Sequence, residues 1–434
     1  MDSLYSLEEA GGRWRYRDAA DKVEAAIPDG LEPAGLLRVS EPEASDVDGV
    51  LAGAIAKPLA SPPLRELARG RKDAAIIVSD STRAVSTARA LPFVVDELRQ
   101  AGLSFADIFL VVAIGVHRRA SREEMREILG GLDGKLRILN HDPHDPGQLT
   151  EIGVSSRGNR IEVNRRVAGA ALRLAIGKVE THEFAGYSGG RKSVLPGIAS
   201  EKTILFNHRP EMISDPRAVP GRLAGNPVHE DMLEAARLLG LDFCLNIVQN
   251  ARGRPIAAFA GGLEESHAAA VRYYDQRYGV KVPRGTNIFL TTPGHPLDID
   301  LYQSMKPLFG LYPVLREGDA VVLYSRCREG VNSDDMLEPF GHGPGLAGIG
   351  EFLRQNYRIQ MDHALLFCKL LQKGIRVFAV SDGVGAEIFA RMLMTPAKSI
   401  PEALELARDL KLADGETPRL GIAPMAQRLI LTPE

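Results

Sequence analysis

The chain has 434 residues, of which 44% are hydrophobic, 25% charged, 43 Gly and 27 Pro. That is the composition of a globular protein of two or three domains, and it excludes collagen-like, disordered and disulfide-scaffold classes. A formal charge of −3 leaves no basic field for nucleic acid, and no run approaches the length of a membrane span. The first residues lack the apolar run of a signal peptide, so the expected location is cytoplasmic. Cys244, Cys327 and Cys368 lie far apart and form no CxxC pair, which reads as reduced core cysteines.

Along the chain, short β-branched runs predict strands over 74–79, 108–116, 136–140, 161–163, 172–179, 241–249 and 256–260. Helical spacing of apolar residues predicts helices over 92–100, 122–129 and 230–239 between them. A long helix over 263–277 runs into a polar stretch at 281–286 containing Pro283 and Gly285, where a domain boundary is placed. Beyond it the pattern repeats, with strands over 288–291, 320–325 and 376–380. Helices are predicted over 301–308, 348–356, 362–371, 386–394 and 401–410, and a last short strand over 429–431. Strands alternating with helices predict an α/β fold of two α/β domains with largely parallel sheets. The expected division is an N-terminal domain over 1–280, a C-terminal domain over 287–412, and a tail over 413–434 returning to the first domain.

In an open parallel sheet, ligands bind beyond the carboxyl ends of the strands. The strand over 74–79 runs into Asp80-Ser81-Thr82-Arg83, the strand over 108–116 into His117-Arg118-Arg119, and the strand over 172–179 into Glu180-Thr181-His182. Taken singly, each polar residue reads equally well as a helix cap. Their shared position would bring an acid, an arginine and two histidines to one crevice.

The most unusual segment, HEFAGYSGGRKSVLPGIASEKTILFNHRP, runs from His182 to Pro210. Gly186, Gly189 and Gly190 let backbone N–H groups approach an anion closely, and Lys192 offers a point charge or a nucleophile. GYSGGRKS nearly fits a phosphate-binding P-loop but places Arg191 where that loop needs Gly, leaving a phosphate-binding enzyme as the rival reading. His182 and His208 flank the loop, and imidazole is both a metal ligand and an acid/base near neutral pH. His141 and His144 read as solvated residues of a Pro/Asp turn, and His229 and His267 as helix residues. His295 and His342, in Gly/Pro turns, are assigned no role. In the second domain Tyr302, Gln303 and Lys306 fall at i, i+1 and i+4, so Tyr302 and Lys306 share a helix face. That is either an exposed amphipathic helix or a clamp for a substrate carboxylate.

These residues resemble the nickel-pincer lactate racemase family, the nickel-dependent 2-hydroxyacid racemases and epimerases, over nearly the whole chain. The resemblance rests on SDSTR, GVHR, HEFAGYSGGRKSVLPG, the Asn207-His208 pair and YQSMK, with 10 residues from His182 to Lys192 and 16 from Lys192 to His208. It implies an active site in the cleft between the domains. It also implies a nickel-pincer nucleotide, pyridinium-3-thioamide-5-thiocarboxylic acid mononucleotide with Ni, carried by Lys192 through a thioamide link. By the same resemblance His208 is the nickel ligand, and Asp80, Gly189 and Gly190 lie at the cofactor. His117 and His182 are the acid/base pair, while Arg83, Tyr302, Gln303 and Lys306 meet the substrate. The implied reaction is inversion of C2 of lactate or a related short-chain 2-hydroxy acid by proton-coupled hydride transfer. Cofactor-synthesis proteins are implied as maturation partners. Two features depart from the family pattern: Arg119 stands where Pro is frequent, and the only Trp is Trp14, so QMDHALLFCK offers Leu365, Leu366 and Phe367 in place of an aromatic found in some members. A non-catalytic carrier of the cofactor is a further alternative, although a carrier has no need of His117 and His182.

Overall fold

The computed structural model describes residues 4–11, 13–19, 22–80, 85–342 and 345–434. Two six-stranded sheets organise it. In the first, the strands lie in the order Pro255–Gly261, Phe243–Gln249, Leu172–Lys178, Ala74–Ser79, Ile108–Ala113 and Arg137–Asn140. All neighbours are parallel except the first pair. Helices cover both faces, which is why a strand such as Ala74–Ser79 reads as a continuous apolar run. Ile76, Ile77 and Val78 are fully buried, each contributing about 1.5–3 kcal/mol of apolar burial. One face packs on Leu91, Val94 and Leu98 of the helix Thr87–Gln100. That helix begins five residues before the predicted start, so Pro92 lies inside it rather than at its first turn.

The second sheet has the order Thr395–Pro396, Arg376–Ser381, Ala320–Ser325, Ile288–Thr291, Arg419–Ile422 and Glu32–Leu36, parallel throughout. A three-stranded antiparallel meander of Tyr5–Ala10, Arg13–Asp18 and Val23–Ala26 packs its apolar residues on this sheet, with Tyr5, Tyr16 and Ile27 in one core with Leu290, Val322 and Ile422. The strand Glu32–Leu36 therefore belongs to the second sheet, and the meander packs on that sheet, rather than on the first domain where the expected division put them. The segment 413–434 also divides: Arg419–Ile422 joins the second sheet, and Ile430–Pro433 pairs in parallel with Gly279–Val282 at the junction.

The chain passes between the sheets near residues 37–46 and 279–287, and both passages are tied to the C-terminal segment. The half-buried Arg428 donates to Glu41 Oε1 (3.1 Å), to the Gln249 carbonyl (2.9 Å) and to the Tyr278 hydroxyl (3.2 Å). Apolar packing is also continuous across the domains, running from Val163, Val194 and Val228 to Phe289, Leu308 and Phe367.

Candidate active site

Three adjacent strands of the first sheet, Leu172–Lys178, Ala74–Ser79 and Ile108–Ala113, end side by side, and the polar residues that follow the last two are in contact there. Asp80, only 5% exposed, places Oδ2 2.9 Å from His117 Nδ1. An ionised carboxylate only accepts, so this contact puts the imidazole proton on Nδ1 and leaves Nε2 available as a base. The loop carrying His117 is pinned to the segment after Lys192 by the Gly115 N–H, which donates to the Gly197 carbonyl (3.0 Å). Gly115 has φ +55°, a conformation that favours glycine. Arg83 lies outside the described residues.

After Leu172–Lys178 the chain makes a short hairpin in which Thr181–His182 pairs with Gly186–Tyr187. Gly189 (φ +85°) then turns the backbone into a 3₁₀ turn, Gly190–Ser193. A Cβ at Gly189 would stand 2.5 Å from Val179 Cγ2, so the glycine serves close packing of chain on chain. A P-loop needs a helix at this point, and a 3₁₀ turn stands there instead. Arg191 points inward and is 1% exposed. Its guanidinium donates to the carbonyls of Ala185 (3.1 Å) and Tyr187 (2.8 Å) and to His267 Nε2 (2.7 Å). Burial lowers the arginine's pKa to about 9 and holds His267 well below its ordinary value, and the same Nε2 also faces the Ser188 carbonyl at 2.9 Å.

Lys192 points the other way. Its Nζ lies 2.7 Å from His182 Nε2 and 6.0 Å from the centre of the Phe184 ring. Phe184 meets His182 edge-on at 4.8 Å between ring centres and His208 at 5.0 Å. Lys192, His182 and His208 thus surround one phenyl ring. His208 is 5% exposed at the end of the helix Glu201–Asn207. That end is fixed by Asn207, whose amide donates to the Val228 carbonyl (3.1 Å) and to Asp231 Oδ2 (2.8 Å).

The second domain supplies Lys306, with Nζ 3.7 Å from Glu183 Oε1. The other oxygen of Glu183 lies 3.2 Å from His182 Nδ1. Burial alone would raise this carboxyl's pKa, but His182, Lys306 and His363 outweigh it and hold the group well below its ordinary value. The predicted helix over 301–308 is broken: Leu301–Ser304 ends at Met305, and a new helix, Lys306–Leu311, starts with Pro307 in its first turn. Tyr302 stacks on His363 at 3.8 Å and 6°, and its hydroxyl donates to Asp362 Oδ1 (3.1 Å). Gln303 is half-buried beside it, its backbone N–H capped by Asp300 Oδ1 (2.7 Å).

Glu183, Phe184 and His363 were not predicted, because nothing in their local sequence reports burial or a partner from the other domain. His141 corrects the solvated reading: it is fully buried, with Nε2 2.9 Å from the Ala199 carbonyl. His229 and His267 lie on helices as predicted and are also buried. The three cysteines are free and buried. Among the described residues no three His, Cys, Asp or Glu side chains are grouped as metal ligands, and no helix is long and apolar enough to cross a membrane.

The chain matches the lactate racemase N-terminal domain family over residues 20–221 and the lactate racemase C-terminal domain family over residues 282–420. It is 31% identical over 373 residues to lactate racemase of Thermoanaerobacterium thermosaccharolyticum, covering 84% of this chain and 86% of that protein. It is 34% identical over 361 residues to lactate racemase of Lactiplantibacillus plantarum, covering 81% and 83%. The structure of the lactate racemase apoprotein from T. thermosaccharolyticum aligns with a TM-score of 0.88 and 30% identity over 95% of this chain and 98% of that one. The crystal structure of a Thermotoga maritima protein aligns with a TM-score of 0.61 and 17% identity over 87% and 99%, a likeness of fold alone.

Proposed function

Because this chain belongs to the lactate racemase family, we propose that it is the isomerase that inverts C2 of lactate or a related short-chain 2-hydroxy acid, with a nickel-pincer nucleotide held by Lys192 and His208. The observation that carries this reading is the placement of two histidines, His117 and His182, after the two strands that flank Ala74–Ser79 in the sheet, with His182 against the amine of Lys192. The donor set fits the cofactor: the chain offers one amine for a covalent link and one buried imidazole across the Phe184 ring, and no three-residue metal cluster among the described residues. A nucleotide that brings its own sulfur and carbon donors needs one further ligand of this kind. When bound, the cofactor supplies an acceptor for the hydride at C2.

The chain's own residues handle the proton and the carboxylate. Inversion requires a base on each face of the substrate, so that the hydroxyl proton of either enantiomer can be taken and returned, and His117 and His182 fill these two roles. Asp80 holds His117 through Nδ1 and keeps Nε2 directed outward. Lys306, and Arg83 from its sequence position, supply cations for the substrate carboxylate, with Tyr302 and Gln303 beside Lys306. Approach of the second domain excludes water while the 2-oxo acid turns over. Asp80, Gly189 and Gly190 line the cofactor side, and cofactor-synthesis proteins are the maturation partners.

The test is chiral chromatography of a 2-hydroxyacid panel incubated with protein produced alongside the cofactor-synthesis proteins. Interconversion of enantiomers that disappears in His117→Ala and His182→Ala supports the reading. A loaded protein that racemises nothing contradicts it.

A further inference from the structure

Glu183 sits where the domains meet and touches a functional group of each: His182 Nδ1 at 3.2 Å and Lys306 Nζ at 3.7 Å. The side chains of His182 and Glu183 are each 12% exposed and that of Lys306 is 18% exposed, so solvent screens these contacts weakly. On the far side of the imidazole, Lys192 Nζ is 2.7 Å from Nε2. An ammonium only donates and a carboxylate only accepts. His182 between them therefore carries its proton on Nδ1 and turns the Nε2 lone pair toward Lys192. The Ala185 N–H also points at Nδ1, at 3.4 Å a longer contact than the 3.2 Å to Glu183 Oε2, so the carboxylate is the nearer partner of that nitrogen.

We propose that Glu183 is the positioning residue for His182: it fixes the tautomer and ring orientation through Nδ1, and through Lys306 it couples that orientation to closure of the second domain. The proposal rests on the reading of His182 as one of the two bases. The arrangement parallels Asp80 and His117, with one difference. Asp80 and His117 both belong to the first domain, whereas Glu183 also binds a cation from the second. Closure would thus bear on one base and not on the other. The charged and titratable groups facing Glu183 are His182, Lys306, His363 and Asp362, and Lys369 lines the same small cavity. Those facing His182 are Glu183 and Lys192, with His208 beyond the Phe184 ring. The depressed pKa of Glu183 agrees with a carboxylate ionised throughout the working range.

The test uses the full chain labelled at histidine, with the His182 resonances assigned by their loss in His182→Ala. In the unsubstituted protein the Nδ1–H tautomer is expected; an Nε2–H tautomer overturns the proposal. In Glu183→Gln the His182 pKa is expected to fall by about one unit or more, while Glu183→Asp, which keeps the charge, largely retains it. The buried His141 signal reports whether each variant is folded. A folded Glu183→Gln protein with unchanged His182 tautomer and pKa also overturns the proposal. In cofactor-loaded enzyme, Glu183→Gln is expected to lower kcat by roughly 10²- to 10⁴-fold with little change in KM. Because the titration needs no turnover, loaded enzyme that racemises nothing would refute the racemase reading without touching the His182 result.

Discussion

The amine of Lys192 and Nε2 of His182 lie 2.7 Å apart, brought together by the hairpin after Leu172–Lys178 and the 3₁₀ turn at Gly190–Ser193. Whatever is attached to that amine stands beside the imidazole that would serve the substrate. His208 faces the same ring from the other side. On the function proposed above, attachment, metal ligation and proton transfer would be separate tasks of three neighbouring side chains, which substitution can separate.

In Lys192→Ala, protein produced with the cofactor-synthesis proteins should lose both the mass adduct and bound nickel. In His208→Ala the adduct should remain while nickel occupancy falls. Intact-mass spectrometry and metal analysis of the same preparations check this. An adduct persisting in Lys192→Ala would exclude Lys192 as the carrier.

Asp80→Asn replaces a carboxylate that only accepts with a neutral amide that can also donate, so the proton of His117 is no longer held on Nδ1. The expected result is a kcat lower by roughly 10²- to 10⁴-fold with stability nearly unchanged. Steady-state kinetics with a thermal melt of the same sample check both parts. Equal kcat in variant and unsubstituted enzyme would remove Asp80 from the mechanism.

Arg191 ties the Gly-rich loop to the helix Leu263–Tyr278 through two carbonyls and His267. Arg191→Met should leave these acceptors unsatisfied and cost about 3 kcal/mol or more. A urea midpoint shifted down at constant slope would show it. A midpoint unchanged within error would mean the loop does not depend on this residue.

Acid should destabilise the fold through buried neutral histidines. Burial lowers the pKa of His141 from 6.5 to about 4, and its ring is held neutral between the Ala199 carbonyl and the Asn164 amide. A depressed histidine is neutral in the folded state, so its contribution is fully present above pH 6.5 and is lost as pH falls toward 4. At pH 5 this amounts to about 2 kcal/mol relative to pH 7.5. Urea unfolding at the two pH values should show that difference, and His141→Gln should flatten it. An equally steep fall in His141→Gln would assign the effect to other groups.

The strands of both parallel sheets are legible in the sequence because burial on two faces writes continuous apolar runs such as Ala-Ala-Ile-Ile-Val. The meander over residues 5–26 is not, since strands such as Arg13–Asp18 bury only alternate residues and carry charge on the rest. Its place on the second sheet depends on contacts some 260–400 residues away, including Leu290 and Ile422. The break at Met305 is hidden because the apolar spacing continues through it, although Pro307 marks the new start. At the site, the sheet-end rule reads out Asp80, His117 and His182 directly. Lys192 and His208 emerge from the Gly-rich segment and its flanking histidines. Glu183 stays silent, because its importance comes from a lysine 123 positions later in the other domain. His141 misleads for the same reason: its Pro/Asp surroundings suggest a solvated turn, and its partner is the carbonyl of Ala199, 58 residues on.

Hydride transfer between two histidine bases can be separated from proton abstraction at C2 by following the hydrogen itself. Cofactor-loaded enzyme incubated in ordinary water with one enantiomer of lactate deuterated at C2 should convert it toward an equal mixture, and the newly formed enantiomer should retain the deuterium. Racemisation with deuterium lost to solvent, or no racemisation by protein whose mass and nickel content show it fully loaded, would contradict the account.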